Sequence, residues 1–381
     1  MNFDFDSDTE DFRQHLKNFA KNELAPHYQA DDRAGVFHAG LQKQLGDLGL
    51  FGLLIPENFG GQAASYITSG VACEEIARAD FNAGWLITNA LLVSDILNSN
   101  GTDEQKKRWL PPIASGDQVP AICLTEPGHG TDASALEMRA ERDGDGWRLI
   151  GEKTSISLGM HAEFALVFAR TGGPGAKGIS GFYVPLTGKE VSRTAFRDVG
   201  GRPIGRASIH FDGLRVGPED MLGAEGKGFT SVMQGFDYSR ALIALLCIGS
   251  AQESIDEALE YSKQRHAFGQ PIGKFQGVAF PLVEHATHLR AARLLSYEVL
   301  WRKDKGLPHT AEGAMVKWWT PRLAVDAVHQ ALLTFGQLGY SEELPYGQRM
   351  RDIMGMEIGD GTAQVSKLVV ARQLLGRDAA P

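Results

Sequence analysis

Three long stretches in the second half of this chain carry helical spacing almost without interruption: Phe236–Arg265, Gln276–Asp304 and Thr310–Leu338. Helices of that length persist in water by burying an apolar face along one another, so this half must form a bundle. The first half opens the same way. Between Ser7 and about Leu110 apolar residues recur at helical intervals, as in Phe12, Leu16 and Phe19, and Ser7 with Glu10 has the spacing of a capping box. From about Pro112 to Gly223 the texture changes to Gly- and Pro-rich turns separating short runs such as Trp147–Ser157, Phe164–Ala169, Gly181–Pro185 and Ser208–Phe211, which is strand texture. The expected fold is mainly α with a central β-domain. An N-terminal helical domain (1–111) precedes a small β-barrel-like domain (112–223) and a C-terminal four-helix-bundle domain (224–381).

Charge and cysteine usage narrow what such a chain does. A net charge of -9 speaks against nucleic-acid binding, which needs a basic face. Cys73, Cys123 and Cys247 are far apart and set among apolar residues, as expected of reduced buried thiols in a cytoplasmic protein. The segment Met1–Phe12 is acidic, unlike a secretory or transit peptide, and the longest apolar run, Ala241–Ile248, is too short to span a bilayer. The eleven histidines include no His-x-x-x-His zinc spacing, and no metal is expected; His129, His161 and His266 read as loop or interface residues. The glycine-rich run 172–178 lies between strands and reads as a hairpin, not a phosphate loop.

One short run carries the chemistry. After Arg351-Asp352 comes Ile358-Gly359-Asp360-Gly361-Thr362, a lone carboxylate on a glycine-flanked turn ahead of a helix marked by Val365, Leu368, Val369 and Arg372. Peptide N–H groups at a helix start favour the anion.

Three further segments recur with this one, in order, in the flavin-dependent acyl-CoA dehydrogenase family, and the chain resembles that family over nearly its whole length. They are Leu124-Thr125-Glu126-Pro127-Gly128-His129-Gly130-Thr131-Asp132; Arg265-His266-Ala267-Phe268-Gly269 with Ile272, Phe275 and Gln276; and Phe335-Gly336-Gln337-Leu338-Gly339-Tyr340 with Glu343, Pro345 and Arg349. The resemblance implies an acyl-CoA dehydrogenase-like fold, FAD as cofactor, an acyl-CoA substrate, an electron-transferring flavoprotein as acceptor and a homotetramer built as a dimer of dimers. It also implies α,β-desaturation of a thioester. A base takes the α-proton while hydride leaves the β-carbon for flavin N5.

By position in the motif Asp360 is that base, its own N–H helping to polarise the thioester carbonyl, with Gly361 beside it at the substrate. Glu357, three residues earlier, is the other carboxylate of the segment. Most family members carry Glu where Asp360 stands, and branches that place the Glu before the motif arginine would have it at Ser239. An Asp reaches roughly 1.5 Å less far. Branches with Asp here include dehydrogenases of alicyclic thioesters, so the expected substrate is cyclohexane-1-carboxyl-CoA, giving cyclohex-1-ene-1-carboxyl-CoA. On the helix Asn82–Leu97, Thr88 and Asn89 stand where a second acid would serve 1,4-elimination, and Asp95 is expected on another face, which favours 1,2-elimination.

Carried over residue by residue, the cofactor contacts are Leu124, Thr125, Gly130, Thr131, Ser155, Ser157, Thr362 and Gln364, with Arg265, Phe268, Gln276 and Gly336 reaching the dinucleotide across a subunit interface. The substrate contacts are Thr88, Thr131, Asp237, Arg240 and Gly361. Ser155 replaces a Trp that usually shields the ring and is expected to open space there. Leu333 and Gln337 replace a family Gln and Gly. Two other readings stand beside this one: short- or branched-chain acyl-CoA dehydrogenase, and a nitroalkane-oxidase-like flavin oxidase. A flavin-binding relative without dehydrogenase activity is disfavoured by the retained carboxylate.

Overall fold

The buried helix α5 (Phe81–Asn100) is the axis on which this structure, a computed structural model describing residues 4–381, is assembled. Every residue from Phe81 to Leu97 is buried, which marks a helix surrounded on all sides rather than an amphipathic surface helix. Beside it pack α4 (Tyr66–Ala79) and α6 (Asp103–Ala114), with α1 (Ser7–Phe19, prolonged by a π-helical turn to Leu24) lying against α4; α2 (Tyr28–Ala34) and α3 (Leu41–Asp47) complete the N-terminal helices. The N-cap of α1 is Asp6, which accepts from Thr9 N–H, and not Ser7; Glu10 turns to Arg13 instead of closing a capping box. Helix α6 runs through Pro111 and Pro112 to Ala114, so a domain break at 112 would cut a helix.

The middle of the chain is one eight-stranded sheet: β1 (Ala121–Cys123), β2 (Arg139–Asp143), β3 (Gly146–Ile156), β4 (Phe164–Arg170), β5 (Ile179–Pro185), β6 (Val191–Ala195), β7 (Ala207–Val216) and β8 (Met221–Leu222). Its order is β6-β7-β3-β2-β4-β5-β8, with β1 parallel to β4. The ladder of β3 on β7 slips between Lys153 and Ile156, a bulge that puts Ser155 at φ 59° and re-aims the end of the strand. The glycine-rich run forms the β4–β5 connection, as expected of a hairpin.

The chain then returns to helices: α7 (Gly228–Gln264), the ribbon β9–β10 (His266–Ala267 with Gln270–Pro271), α8 (Gln276–Asp304), α9 (Thr310–Phe335), α10 (Tyr346–Met354) and α11 (Ala363–Leu375). Helix α7 starts earlier than its apolar spacing suggests, and α9 stops at Phe335 because Gly336 turns left-handed at φ 64°. Cys73, Cys123 and Cys247 are buried and unpaired. Among the described residues no helix is long and apolar enough to cross a membrane, and no cluster of His, Cys, Asp and Glu is arranged to hold a metal ion.

One carboxylate ties the layers together. Asp352 on α10 accepts from Tyr28 Oη of α2 (2.7 Å), Asn82 Nδ2 of α5 (3.1 Å) and Gly201 N in the loop before β7 (2.7 Å). Beside it Arg351 pairs with Asp32 (2.6 Å) and donates to Val199 O (2.7 Å). The loop can come this close because residue 200 is glycine: a Cβ there would lie 2.2 Å from Arg351 O.

Burial pushes the Asp352 carboxyl up to about 6, and burial together with the charge of Asp352 pushes Asp80, the N-cap of α5, up to about 7. Carboxyls raised in this way bind their protons more tightly folded than unfolded, so their contribution to stability falls as pH climbs from about 4 through 7. Asp80→Asn keeps an oxygen for the Asn82 and Ala83 N–H groups and removes the charge. It is expected to raise the thermal midpoint by a few degrees at about pH 8 and by much less at about pH 5. Melting curves at both pH values check this, and an equal effect at both would remove charge as the cause.

Candidate active site

Asp360 sits on a turn whose backbone ordinary residues avoid. After α10 come a 3-10 turn (Gly355–Glu357) and Ile358-Gly359; Asp360 then adopts φ 53° and Gly361 φ 102°. Asp tolerates the left-handed region better than most side chains, and the position is held by its surroundings. Thr362 caps α11 through Val365 N–H (3.3 Å). The Asp360 N–H has no backbone acceptor among the described residues and is free to serve a ligand.

Two cations set the electrostatics. Lys317, on α9 and 1% exposed, donates from Nζ to Met356 O (2.7 Å) and Gly361 O (2.9 Å), the two ends of the turn. Arg240 on α7 is buried, donates from Nη1 to Asp237 (3.0 Å), and has a buried Nε without a partner; Thr310 Oγ1 holds the other Asp237 oxygen (2.7 Å). Burial pushes the Asp360 carboxyl above its ordinary value, and the charges of Lys317 and then Arg240 pull it partly back. Burial in turn pushes Lys317 down to about 8. Glu357 lies in the preceding turn, and its charge is also felt by Lys317, so both carboxylates of the segment share that cation.

Beside Asp237 opens a cleft of about 230 Å³ between α5, α7, α8 and the start of α9. It receives Asp95, whose carboxylate accepts from Tyr66 Oη (2.5 Å) and faces Lys303 Nζ at 3.6 Å. The placement of Asp95 differs from the expectation that it lies on another face of α5. Thr88 is turned into the core, donating to Gly84 O (3.0 Å) against Cys73, and Asn89 bonds Pro120 O, whereas Asp95 shares the cleft with Asp237. Seven residues are close to two helical turns, so Thr88 and Asp95 share a flank of α5, and it is their position along the helix that brings only Asp95 to this cleft.

On the sheet side, the loop after β1 is held by a buried ion pair. Lys153 Nζ on β3 donates to Leu124 O (2.9 Å) and Glu126 Oε1 (2.7 Å); Glu126 also accepts from Glu137 N (2.6 Å) and Met138 N (2.9 Å). Burial works to raise Glu126, but Lys153 and the two amides outweigh it and hold the carboxyl below its ordinary value. Glu126 and His129 close the tip of the loop through paired backbone bonds, and Thr154 N reaches Thr125 O (2.8 Å), which sets the β1 loop against the end of β3. The hydroxyls of Thr125, Thr131 and Ser157 make no hydrogen bond within the described residues, and Gly130 is exposed between them in the chain. Such uncommitted hydroxyls are available to a ligand that carries hydrogen-bonding groups. The space expected beside Ser155 has an arginine at its edge. Arg206, stacked 4.4 Å over Phe196 and paired with Asp198, donates to Ser155 Oγ (3.1 Å).

The remaining residues assigned to the cofactor lie elsewhere. Thr362 and Gln364 begin α11 beside Asp360. Arg265 caps the far end of α7, roughly 38 Å from Arg240 at ~1.5 Å per residue. Phe268 sits on the β9–β10 ribbon at φ 52° and is 96% exposed, Gln276 opens α8, and Gly336 ends α9 nearby, where Tyr261 stacks on Phe335. One copy of the chain does not bring this far group to Asp360. Lys317 and Lys153 are not marked by any motif, although Glu126, the partner of Lys153, lies within the Leu124–Asp132 segment; Lys317 leaves only the trace of a lysine among Ala314, Val316 and Thr320 on a buried face.

Three family models match in succession: the acyl-CoA dehydrogenase N-terminal domain over residues 6–117, the middle domain over 121–214 and the C-terminal domain over 226–375. The short-chain specific acyl-CoA dehydrogenase of Rattus norvegicus mitochondria is 36% identical over 95% of this chain and 89% of its own length. Among solved structures, butyryl-CoA dehydrogenase from Megasphaera elsdenii superposes with a TM-score of 0.95 at 32% identity, covering 98% of this chain and all of that one. A chain from the structure of the electron transferring flavoprotein of Acidaminococcus fermentans, described as a step towards a mechanism of flavin-based electron bifurcation, does so with a TM-score of 0.95 at 33% identity over 98% of this chain and all of that one.

Removing one partner of the buried pair on the sheet leaves the other charge stranded. Lys153→Met is expected to destabilise the protein by about 3 kcal/mol, and adding Glu126→Gln should recover part of the loss. Urea unfolding of the two variants tests this; a harmless Lys153→Met would show that the pair does not hold the loop.

Proposed function

The chain belongs to the acyl-CoA dehydrogenase family, and from that premise we propose that it desaturates a short-chain acyl-CoA, with Asp360 as the base and FAD as the redox partner. The observation that carries this reading is the half-buried Asp360 on its left-handed turn, between the charges of Lys317 and Arg240 and next to an unpartnered Arg240 Nε. The similarity to a short-chain enzyme and to butyryl-CoA dehydrogenase supports the short acyl group.

In this reading the α C–H bond breaks with its proton passing to the Asp360 carboxylate. The β C–H bond breaks with its electron pair, and a carbon–carbon double bond forms. Bound FAD supplies the acceptor for that hydride. The protein's part is positional and electrostatic. The free Asp360 N–H polarises the thioester carbonyl, Gly361 leaves room beside it, and the Thr310–Asp237–Arg240 chain fixes a cation toward the carrier end of the substrate. Thr125, Thr131 and Ser157 would hold the flavin ring, helped by Leu124, Gly130, Ser155, Thr362 and Gln364. Arg265, Phe268, Gln276 and Gly336 of a second copy would hold its far end, which is the part of this reading that requires an oligomer. The exposed Phe268, Phe280, Val283 and Leu333 support such an assembly, for which a dimer of dimers is the form the family resemblance implies. An electron-transferring flavoprotein as acceptor is supported by the likeness to the Acidaminococcus chain. Buried unpaired cysteines suit a cytoplasmic setting.

A ring thioester such as cyclohexane-1-carboxyl-CoA is the second reading, favoured by the short arm of Asp360. The support it draws from Ser155 is lessened by Arg206, which donates to Ser155 Oγ (3.1 Å). Anaerobic titration with butyryl-CoA is expected to bleach the flavin faster than cyclohexanecarboxyl-CoA does; the reverse order restores the alicyclic substrate, and rapid recolouring in air points to an oxidase. Asp360→Asn is expected to keep FAD and lower the rate of flavin reduction by roughly 1,000-fold, as for loss of a general base. Normal reduction in that variant would transfer the role to Glu357.

A further inference from the structure

We propose that Lys317 is a positioning residue for this reaction: it cinches the turn that carries Asp360 and supplies the fixed charge that keeps the carboxylate ready to accept a proton. The proposal rests on Asp360 being the base. Lys317 is nearly inaccessible, yet its ammonium is not neutralised by a hydrogen-bonded carboxylate; Nζ donates to two backbone carbonyls, Met356 O and Gly361 O. Those carbonyls bracket the segment in which Asp360 takes its left-handed conformation. A buried ammonium is a costly way to bind two carbonyls that a neutral donor or water would satisfy. Its placement is explained if the charge itself is used.

The groups around Lys317 are consistent with that use. From the turn side, Asp360 and Glu357 face it; from α7, Arg240 and the buried Cys247 do. Asp360 is the carboxylate whose charged form Lys317 favours most directly, with Arg240 adding to the effect. Geometry and charge are coupled. With the two carbonyl bonds gone, Asp360 is free to leave φ 53°, and its carboxylate both misaligns and faces burial without its cation.

The test is anaerobic flavin reduction by butyryl-CoA across about pH 5 to 7.5, below the value of about 8 to which burial brings Lys317, on FAD-loaded wild type, Lys317→Met, Lys317→Arg and Asp360→Asn. If Lys317 acts as argued, Lys317→Met keeps FAD, reduces flavin roughly 10- to 100-fold more slowly, and shifts the rising limb of the rate–pH profile to higher pH. The sign follows from the charge: without the cation Asp360 stays protonated to higher pH. Lys317→Arg should restore the wild-type midpoint and part of the rate. A wild-type rate and midpoint in Lys317→Met, or a slow variant with an unshifted midpoint that Arg does not rescue, overturns the proposal. If Lys317→Met loses FAD, Lys317→Gln, which can still donate to one carbonyl, carries the same midpoint test, and an unshifted midpoint there overturns it equally. Normal reduction by Asp360→Asn would bring down the assignment of the base, an outcome separate from any result at Lys317.

Discussion

The carboxylate of Asp352 is where the three layers of this protein meet. Helix α2, the start of α5 and the loop ahead of β7 each place one donor on its two oxygens, and Gly200 lets the loop approach to contact distance. The helices and the sheet share one hydrophobic core whose packing is not directional, so a directed contact between them must come from polar groups. Here a polar cluster supplies it, at the expense of burying carboxyl groups that neutral pH would ionise. The consequence for chemistry is direct. Asp352 belongs to the helix that leads into the Asp360 turn, so the clamp that sets the sheet against the helices also bears on how the loop after β1, proposed to hold the flavin, stands relative to the proposed base.

That loop and that turn are stabilised by the same device, a buried lysine answering to backbone. Lys153 collects Leu124 O and the Glu126 carboxylate; Lys317 collects Met356 O and Gly361 O. The difference lies in where the compensating negative charge sits. For Lys153 it is in direct contact, and the pair is closed. For Lys317 the nearby carboxylates are Asp360 and Glu357, within electrostatic reach but without a hydrogen bond to Nζ, which leaves Asp360 able to gain and lose a proton.

Much of this was legible from residues alone. The long helices, the strand texture between them and the family segments are local patterns, and the comparisons bear out the family and the fold. What escaped is tertiary. Thr88 and Asp95, nearly two turns apart, share a flank of the buried helix α5, which spacing alone indicates; that Asp95 and not Thr88 meets the cleft depends on the neighbours of α5. Serine in place of a tryptophan at 155 suggests a void by volume, but Arg206 belongs to another strand's approach and reaches in after a bulge that spacing does not reveal. The α1 cap moved by one residue because Asp6 and Ser7 are both good caps and only backbone geometry chooses between them. The ring-thioester expectation rested on two substitutions, Asp for Glu at 360 and Ser for Trp at 155, and single side chains are a weaker guide to substrate than similarity along the whole chain.

The short arm still has a physical consequence, whichever acyl group is processed. An aspartate places its carboxylate roughly 1.5 Å nearer its own backbone than a glutamate would. The proposed base and the N–H that polarises the thioester then lie on the same residue with little slack between them, so the α-carbon and the carbonyl oxygen must both be brought close to the turn. A long flexible arm can correct a misplaced backbone by changing rotamer, whereas a short one transmits the error to the reacting atoms. For that reason an Asp in this place needs a turn that does not move. The left-handed backbone at Asp360 and the two carbonyl bonds from Lys317 provide that restraint from opposite sides.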